Sequence, residues 1–196
     1  MRNLFLLLLF TTLLVSCGKS KPPTPFQAID ISWRYAEKPV DFHLTDPNGK
    51  MRRLSDFKGK VVVMFFGYTH CPEICPTTLA DLAQVMRLLD KDAAKVQVLF
   101  VTLDPERDTP KLLAEYVPFF HPTFLGLYGD IKTTAQVAKT FGVNYEKRVE
   151  KGSYTLDHSD GTYLIGTNGK PVLLSPYNQR AELLVQDLKL LLQMAH

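Results

Sequence analysis

The chain has 196 residues, 45% of them hydrophobic and 22% charged, the balance of a folded globular protein with room for one ordinary domain. Its formal net charge is +3, and no basic run interleaved with aromatics occurs along it, which excludes a strongly polyanionic partner such as nucleic acid. With three cysteines, only two of them close together, it is not a disulfide-stapled scaffold.

Met1-Arg2-Asn3 is a short, weakly basic start, and Leu4 to Val15 is an apolar run broken only by Thr11 and Thr12. That run is too short to span a bilayer as a permanent helix and has the length of a signal-peptide core. It stops at Leu14-Val15-Ser16-Cys17-Gly18, where small residues before a cysteine resemble the lipobox of bacterial lipoproteins. The resemblance implies removal of residues 1–16 and acylation of Cys17; a plain secretion signal with an incidental cysteine is the alternative. Acyl chains, at about 0.8 kcal/mol per buried methylene, hold a small domain on a membrane surface. The location this implies is the bacterial cell envelope, facing the periplasm or the cell exterior. Residues 17–38 read as a tether, with three prolines between Gly18 and Pro25, and residues 39–196 as the domain.

Within the domain, Val40 to Leu44 reads as a short strand that turns at Asp46-Pro47-Asn48-Gly49 and returns over Lys50 to Leu54, an N-terminal hairpin. Lys60 to Phe66 is a continuous apolar, β-branched run, as expected of a central strand buried on both faces. Thr77 to Leu89 carries apolar residues at 79, 82, 85, 86 and 89, a helical stripe. Val96 to Leu103 is a second buried strand, and Asp108-Thr109-Pro110 caps and launches a helix to about Phe119. Thr134 to Phe141 is a short helix stopped by Gly142. Thr162 to Ile165 and Pro171 to Leu174 pair across Asn168-Gly169, and a last helix runs from about Gln179 to Gln193. This order predicts an α/β fold, a thioredoxin-like three-layer sandwich. A right-handed crossover then puts the loop after Phe66 at the carboxyl edge of the sheet, where sites in open α/β sheets gather.

That loop reads His70-Cys71-Pro72-Glu73-Ile74-Cys75-Pro76. Pro76 suits the first turn of the following helix, so Cys75 lies at its N-terminal edge, where the dipole and unpaired N–H groups favour thiolate. A structural disulfide is a weak reading, because so short a closed loop constrains little of the unfolded chain. A dithiol oxidoreductase is a stronger one, although three residues rather than two separate the cysteines and the sole tryptophan, Trp33, is remote. A metal site is the third reading and needs another ligand. Among five histidines, His196 is terminal, His43 lies in the first strand, His121 precedes Pro122, and His70 diverges from its neighbour Cys71. His158, just before the Thr162–Ile165 strand, is the best third ligand, because the connection entering that strand lies beside the cysteine loop. Two thiolates and one imidazole suit copper better than a structural zinc site, which closes with a fourth ligand; on spacing alone zinc stays open. Cu(I) accepts three soft ligands, and Cu(II) adds a water or weak oxygen.

The block Phe66 to Pro76, then Asp104-Pro105-Glu106-Arg107-Asp108-Thr109-Pro110, then Asp157-His158-Ser159 before Tyr163-Leu164-Ile165, resembles the signature blocks of the Sco/SenC family in the same order. The resemblance runs over roughly Val40 to Leu192, as a single domain. It implies a thioredoxin fold, copper held by Cys71, Cys75 and His158, and delivery to the CuA subunit of cytochrome c oxidase or exchange with another copper chaperone. Some members are argued to reduce partner thiols instead, with Cys71 and Cys75 as the redox pair. Asp157 and Asp104 are candidate supporting groups, Asp157 by orienting His158, against the plainer reading of a turn aspartate.

Overall fold

A computed structural model describes residues 26–37, 40–150 and 152–194. In chain order it contains β1 (Ile29–Asp30), a 3-10 turn (Ser32–Tyr35), β2 (Leu44–Thr45), β3 (Met51–Arg52), a 3-10 turn (Leu54–Phe57), β4 (Val61–Gly67) and α1 (Ile74–Leu89). A 3-10 turn (Asp90–Lys95) leads to β5 (Val96–Thr102), α2 (Pro110–Phe120), β6 (Leu125–Leu127) and α3 (Ile131–Phe141). The chain closes with β7 (Tyr145–Glu150), β8 (Ser153–His158), β9 (Thr162–Ile165), β10 (Pro171–Ser175) and α4 (Ala181–Gln193).

The main sheet has the order β1-β10-β9-β4-β5-β6. β4, β5 and β6 run parallel, while β9 is antiparallel to β4 and β10 to β9. Every residue of β4 is buried, as its uninterrupted apolar run requires. Successive side chains of β4 face opposite layers. Phe66 meets Phe141 of α3 and Tyr163 at ring separations of 5.7 and 5.9 Å, and both Tyr163 and Tyr35 donate their hydroxyls to the Phe141 carbonyl. Phe65 meets Phe100 on the other face, and Phe100 meets Tyr116 of α2. α1 buries Leu79, Leu82, Val85, Met86 and Leu89, the stripe its spacing predicts, and packs on α4 and α2. The result is the expected thioredoxin-like sandwich, with helices on both faces of the sheet.

Several boundaries differ from the sequence reading for local reasons. Val40 to Leu44 forms ladder pairs only at its end, because the Asp41 carboxylate accepts from Phe42 N (2.9 Å) and Leu54 N (2.7 Å) and takes those groups out of the hairpin. α1 begins three residues earlier than its stripe, since Pro76 in the first turn forfeits no helical bond. α3 begins at Ile131 because Asp130 accepts from Thr133 N at 2.6 Å. The β7–β8 hairpin is absent from the sequence reading; Val149 is 81% exposed and Leu156 is the buried apolar side chain of β8, so its apolar pattern is thin. At the N-terminus, Ile29 pairs with Leu174, Ala28, Ile31 and Tyr35 are buried, and Asp187 of α4 accepts from Gln27 N and Ala28 N at 2.8 and 2.9 Å. The packed unit therefore takes in residues 26–37, which the sequence places in the tether. The signal peptide, Cys17 and the tether up to Pro25 lie outside the described residues.

Candidate metal centre

The cysteine loop leaves β4 at Gly67, whose carbonyl accepts from Leu103 N at 2.7 Å. Gly67 has no room for a side chain: a Cβ there would stand 2.8 Å from the Cys75 sulfur and 3.0 Å from the rings of Phe65 and Phe100. Cys75 is the second residue of α1 and fully buried, while Cys71 is half-buried in the loop before it. The Cys75 N–H donates to the Cys71 sulfur at 3.4 Å, so an unpaired amide of the helix start is spent on the thiolate. Both cysteines are free.

His158 ends β8 and reaches the same point from the other side. Its Nδ1 lies 2.8 Å from the Ser159 carbonyl, which can only accept, so Nδ1 carries a proton and, whenever the ring is neutral, Nε2 is the nitrogen with the free lone pair. Nε2 stands 3.8 Å from the Cys75 sulfur. The ring is bounded edge-on by Tyr68 and Phe65, at centroid distances of 6.0 and 6.4 Å. The Tyr68 hydroxyl in turn accepts from Leu156 N at 3.2 Å. The ligand atoms of Cys71, Cys75 and His158 lie within 4.8 Å of one another, and among the described residues theirs is the group of such side chains that converges. Cys71 and His158 border an open cleft of about 470 Å³, lined also by Tyr68, Glu73 and Leu156, with Cys75 buried behind them.

The electrostatics of the pair are unequal. Hydrogen bonding from the Cys75 thiol, with help from His158 and the backbone N–H groups of Cys75 and Glu73, overcomes burial and holds the Cys71 thiol down to about 4. Cys75 is pushed far up, first by donating to the Cys71 thiolate and then by burial. Burial opposes charge on His158, yet the Cys71 thiolate and the Ser159 carbonyl together raise it. At neutral pH the resting pair is thus one thiolate and one thiol. Once the Cys75 and Nε2 protons leave, two sulfurs and an imidazole nitrogen, with one side open to solvent, form a soft three-ligand set that fits Cu(I).

The other candidates are placed differently. Asp157 is half-exposed and pairs with Arg148 across the hairpin at 2.5 Å, while the Ser159 carbonyl occupies the Nδ1 position of His158. Asp104 is buried and accepts from Arg107 Nε (2.5 Å) and the Tyr154 hydroxyl (2.7 Å). His43 is exposed, His121 bonds Thr123 at 2.9 Å, and His70 bonds Thr69 at 3.1 Å. Cys17 and His196 lie outside the described residues. Sequence reasoning missed the Ser159 carbonyl and the Arg107–Tyr154 contacts. A backbone carbonyl leaves no sequence signal at all, whereas Arg107 stands inside a block already singled out.

The SCO1/SenC family profile matches residues 35–193. Over 145 residues the chain is 43% identical to the bovine protein named "Protein SCO2 homolog, mitochondrial", covering 72% of this chain and 53% of that one. The chain therefore spans about half the length of that curated relative. The structure of Bradyrhizobium japonicum ScoI with copper bound is similar at a TM-score of 0.71 and 40% identity, covering 77% of this chain and 97% of that one. A SCO1/SenC family lipoprotein from Bacillus anthracis gives a TM-score of 0.68 at 27% identity, covering 78% and 93%.

Proposed function

The chain belongs to the SCO1/SenC family, and we propose that it is a copper carrier: it holds one copper through Cys71, Cys75 and His158 and passes it to the CuA site of cytochrome c oxidase. The observation that carries this reading is the convergence of two sulfurs and an oriented imidazole within 4.8 Å at the rim of an open cleft. An open side suits a carrier, because an incoming ligand can bind the ion before the outgoing ones release it. The B. japonicum relative with copper bound supports the choice of metal. No described helix is long and apolar enough to cross a membrane, and attachment is assigned to acylated Cys17, as the lipoprotein relative from B. anthracis supports. On this reading the carrier sits on a bacterial envelope membrane. The test is anaerobic copper titration of the reduced domain, read by stoichiometry and by sulfur-to-copper charge-transfer absorption. One copper per chain is expected, lost in Cys71→Ser and Cys75→Ser; equal uptake by those variants removes the cysteines from the site.

The inequality of the two cysteines favours a second reading, thiol–disulfide exchange. The half-exposed Cys71 thiolate would attack a partner disulfide and expel one partner thiolate. Cys75, once deprotonated, would then displace the other, leaving the partner reduced and a Cys71–Cys75 disulfide. Exchange needs no histidine ligand, whereas carriage does. His158→Ala that keeps dithiol reductase activity and loses copper-dependent oxidase maturation supports the carrier; the reverse pattern supports the thiol enzyme.

A further inference from the structure

The Asp104–Asp108 loop touches both halves of the site. We propose that it is a two-armed brace that sets the spacing between the sulfurs and the His158 imidazole, an inference that rests on the metal-site reading above. The sulfur arm is Asp108, 1% exposed. Its carboxylate accepts from Thr69 N (3.0 Å), Thr69 Oγ1 (2.6 Å) and Thr102 Oγ1 (2.6 Å), fastening the segment two residues before Cys71 to the end of β5. The histidine arm is Arg107. Its guanidinium lies 3.5 Å from the Tyr154 ring centre, Nη1 donates to the Tyr154 carbonyl at 2.9 Å, and Nε is held by Asp104, which also accepts the Tyr154 hydroxyl.

The arms are rigidly joined. Asp104 N donates to Thr102 Oγ1 (2.9 Å), the same hydroxyl that donates to Asp108, and the Asp104 carbonyl accepts from Asp108 N at 2.9 Å. The histidine side needs such a hold because β7 and β8 form their own two-stranded sheet, outside the ladder that fixes β4. Tyr154 and His158 are four residues apart on β8 and so share one of its faces. Metal affinity is sensitive to groups that orient ligands without binding the ion. Arg107 and Asp108 are thus positioning residues, and the chemistry they use — a fork stacked on a ring, and a buried three-bond acceptor — is directional.

The experiment compares wild type with Arg107→Lys, Tyr154→Phe and Asp108→Asn on two readouts: Cu(II) titration by charge-transfer absorption, and iodoacetamide labelling of the reduced apo-protein. Arg107→Lys keeps the charge but loses the planar fork; it should weaken Cu(II) binding about 10-fold and shift the band, with Cys75 as protected from labelling as in wild type. Tyr154→Phe, which keeps the ring and drops only the bond to Asp104, should do the same to a smaller extent, and it decides the histidine arm if Arg107→Lys does not fold. Asp108→Asn should label Cys75 several-fold faster. Wild-type spectra in Arg107→Lys and Tyr154→Phe, together with wild-type Cys75 protection in Asp108→Asn, overturn the brace even if all three melt at lower temperature. If wild type takes up no copper while Asp108→Asn still exposes Cys75, the metal assignment fails and the sulfur arm stands.

Discussion

His158 owes its ligand-ready form to one backbone atom. The Ser159 carbonyl claims Nδ1–H, so Nε2 faces the sulfurs, and Tyr68 and Phe65 limit how far the ring turns. His158→Ala should therefore lower copper affinity about 10-fold or more and change the charge-transfer bands. His43→Ala and His121→Ala are the controls: one side chain is exposed and the other is bonded to Thr123, so neither should alter the titration. An unchanged spectrum in His158→Ala would remove this residue from the site. The histidine was legible in sequence from its place before the Thr162–Ile165 strand, beside the cysteine loop, but nothing in Leu156-Asp157-His158-Ser159 states which nitrogen is presented. Asp157 shows the limit of that reading. Adjacent residues on a strand point to opposite faces, so the carboxylate next to His158 in sequence is turned toward Arg148.

At the scale of elements, the join between β4 and α1 is the tightest point of the site. Gly67→Ala drives a methyl into the Cys75 sulfur and two aromatic rings, overpacking that costs about 1–3 kcal/mol and displaces the sulfur. Denaturant unfolding should show that loss together with weaker copper uptake; a fully stable variant with wild-type uptake would sink the account. The β2–β3 turn makes a separate prediction. Buried Asp46 pays a desolvation penalty, but hydrogen bonds from Arg52 and from the Lys50 and Asn48 amides outweigh it and hold its carboxyl below the usual 3.8. A depressed folded-state value stabilises above the unfolded pKa, and the contribution is lost as pH falls through the folded one. Between about pH 5 and pH 2 the wild type should lose more stability than Asp46→Asn, measured by urea midpoints. Equal losses would show that Asp46 is not linked to acid unfolding.

For the whole molecule, the packed unit begins by Phe26, and Cys17 precedes it by nine residues. A span of that length reaches at most roughly 30 Å, so the proposed acylation of Cys17 would hold the domain close to the membrane surface. Cys17→Ser should leave an uncleaved precursor or release the protein from the membrane fraction; mass spectrometry finding an unmodified N-terminus upstream of Cys17 in the wild type refutes the anchor. Taken alone, the sequence determined the buried strands, read as Lys60 to Phe66 and Val96 to Leu103, the α1 stripe, the Asn168-Gly169 hairpin and the place of Cys71 and Cys75 at a helix start. These follow from periodicity and turn chemistry, which act between residues a few positions apart. Only the tertiary structure decided that residues 26–37 join the sheet, that a hairpin of thin apolar pattern carries His158, and that Asp104, Arg107 and Asp108 tie that hairpin to the cysteine loop. Those contacts join residues up to 160 positions apart through directional hydrogen bonds and ring stacking, as when Gln27 N meets the Asp187 carboxylate, and such bonds impose no local pattern on the chain.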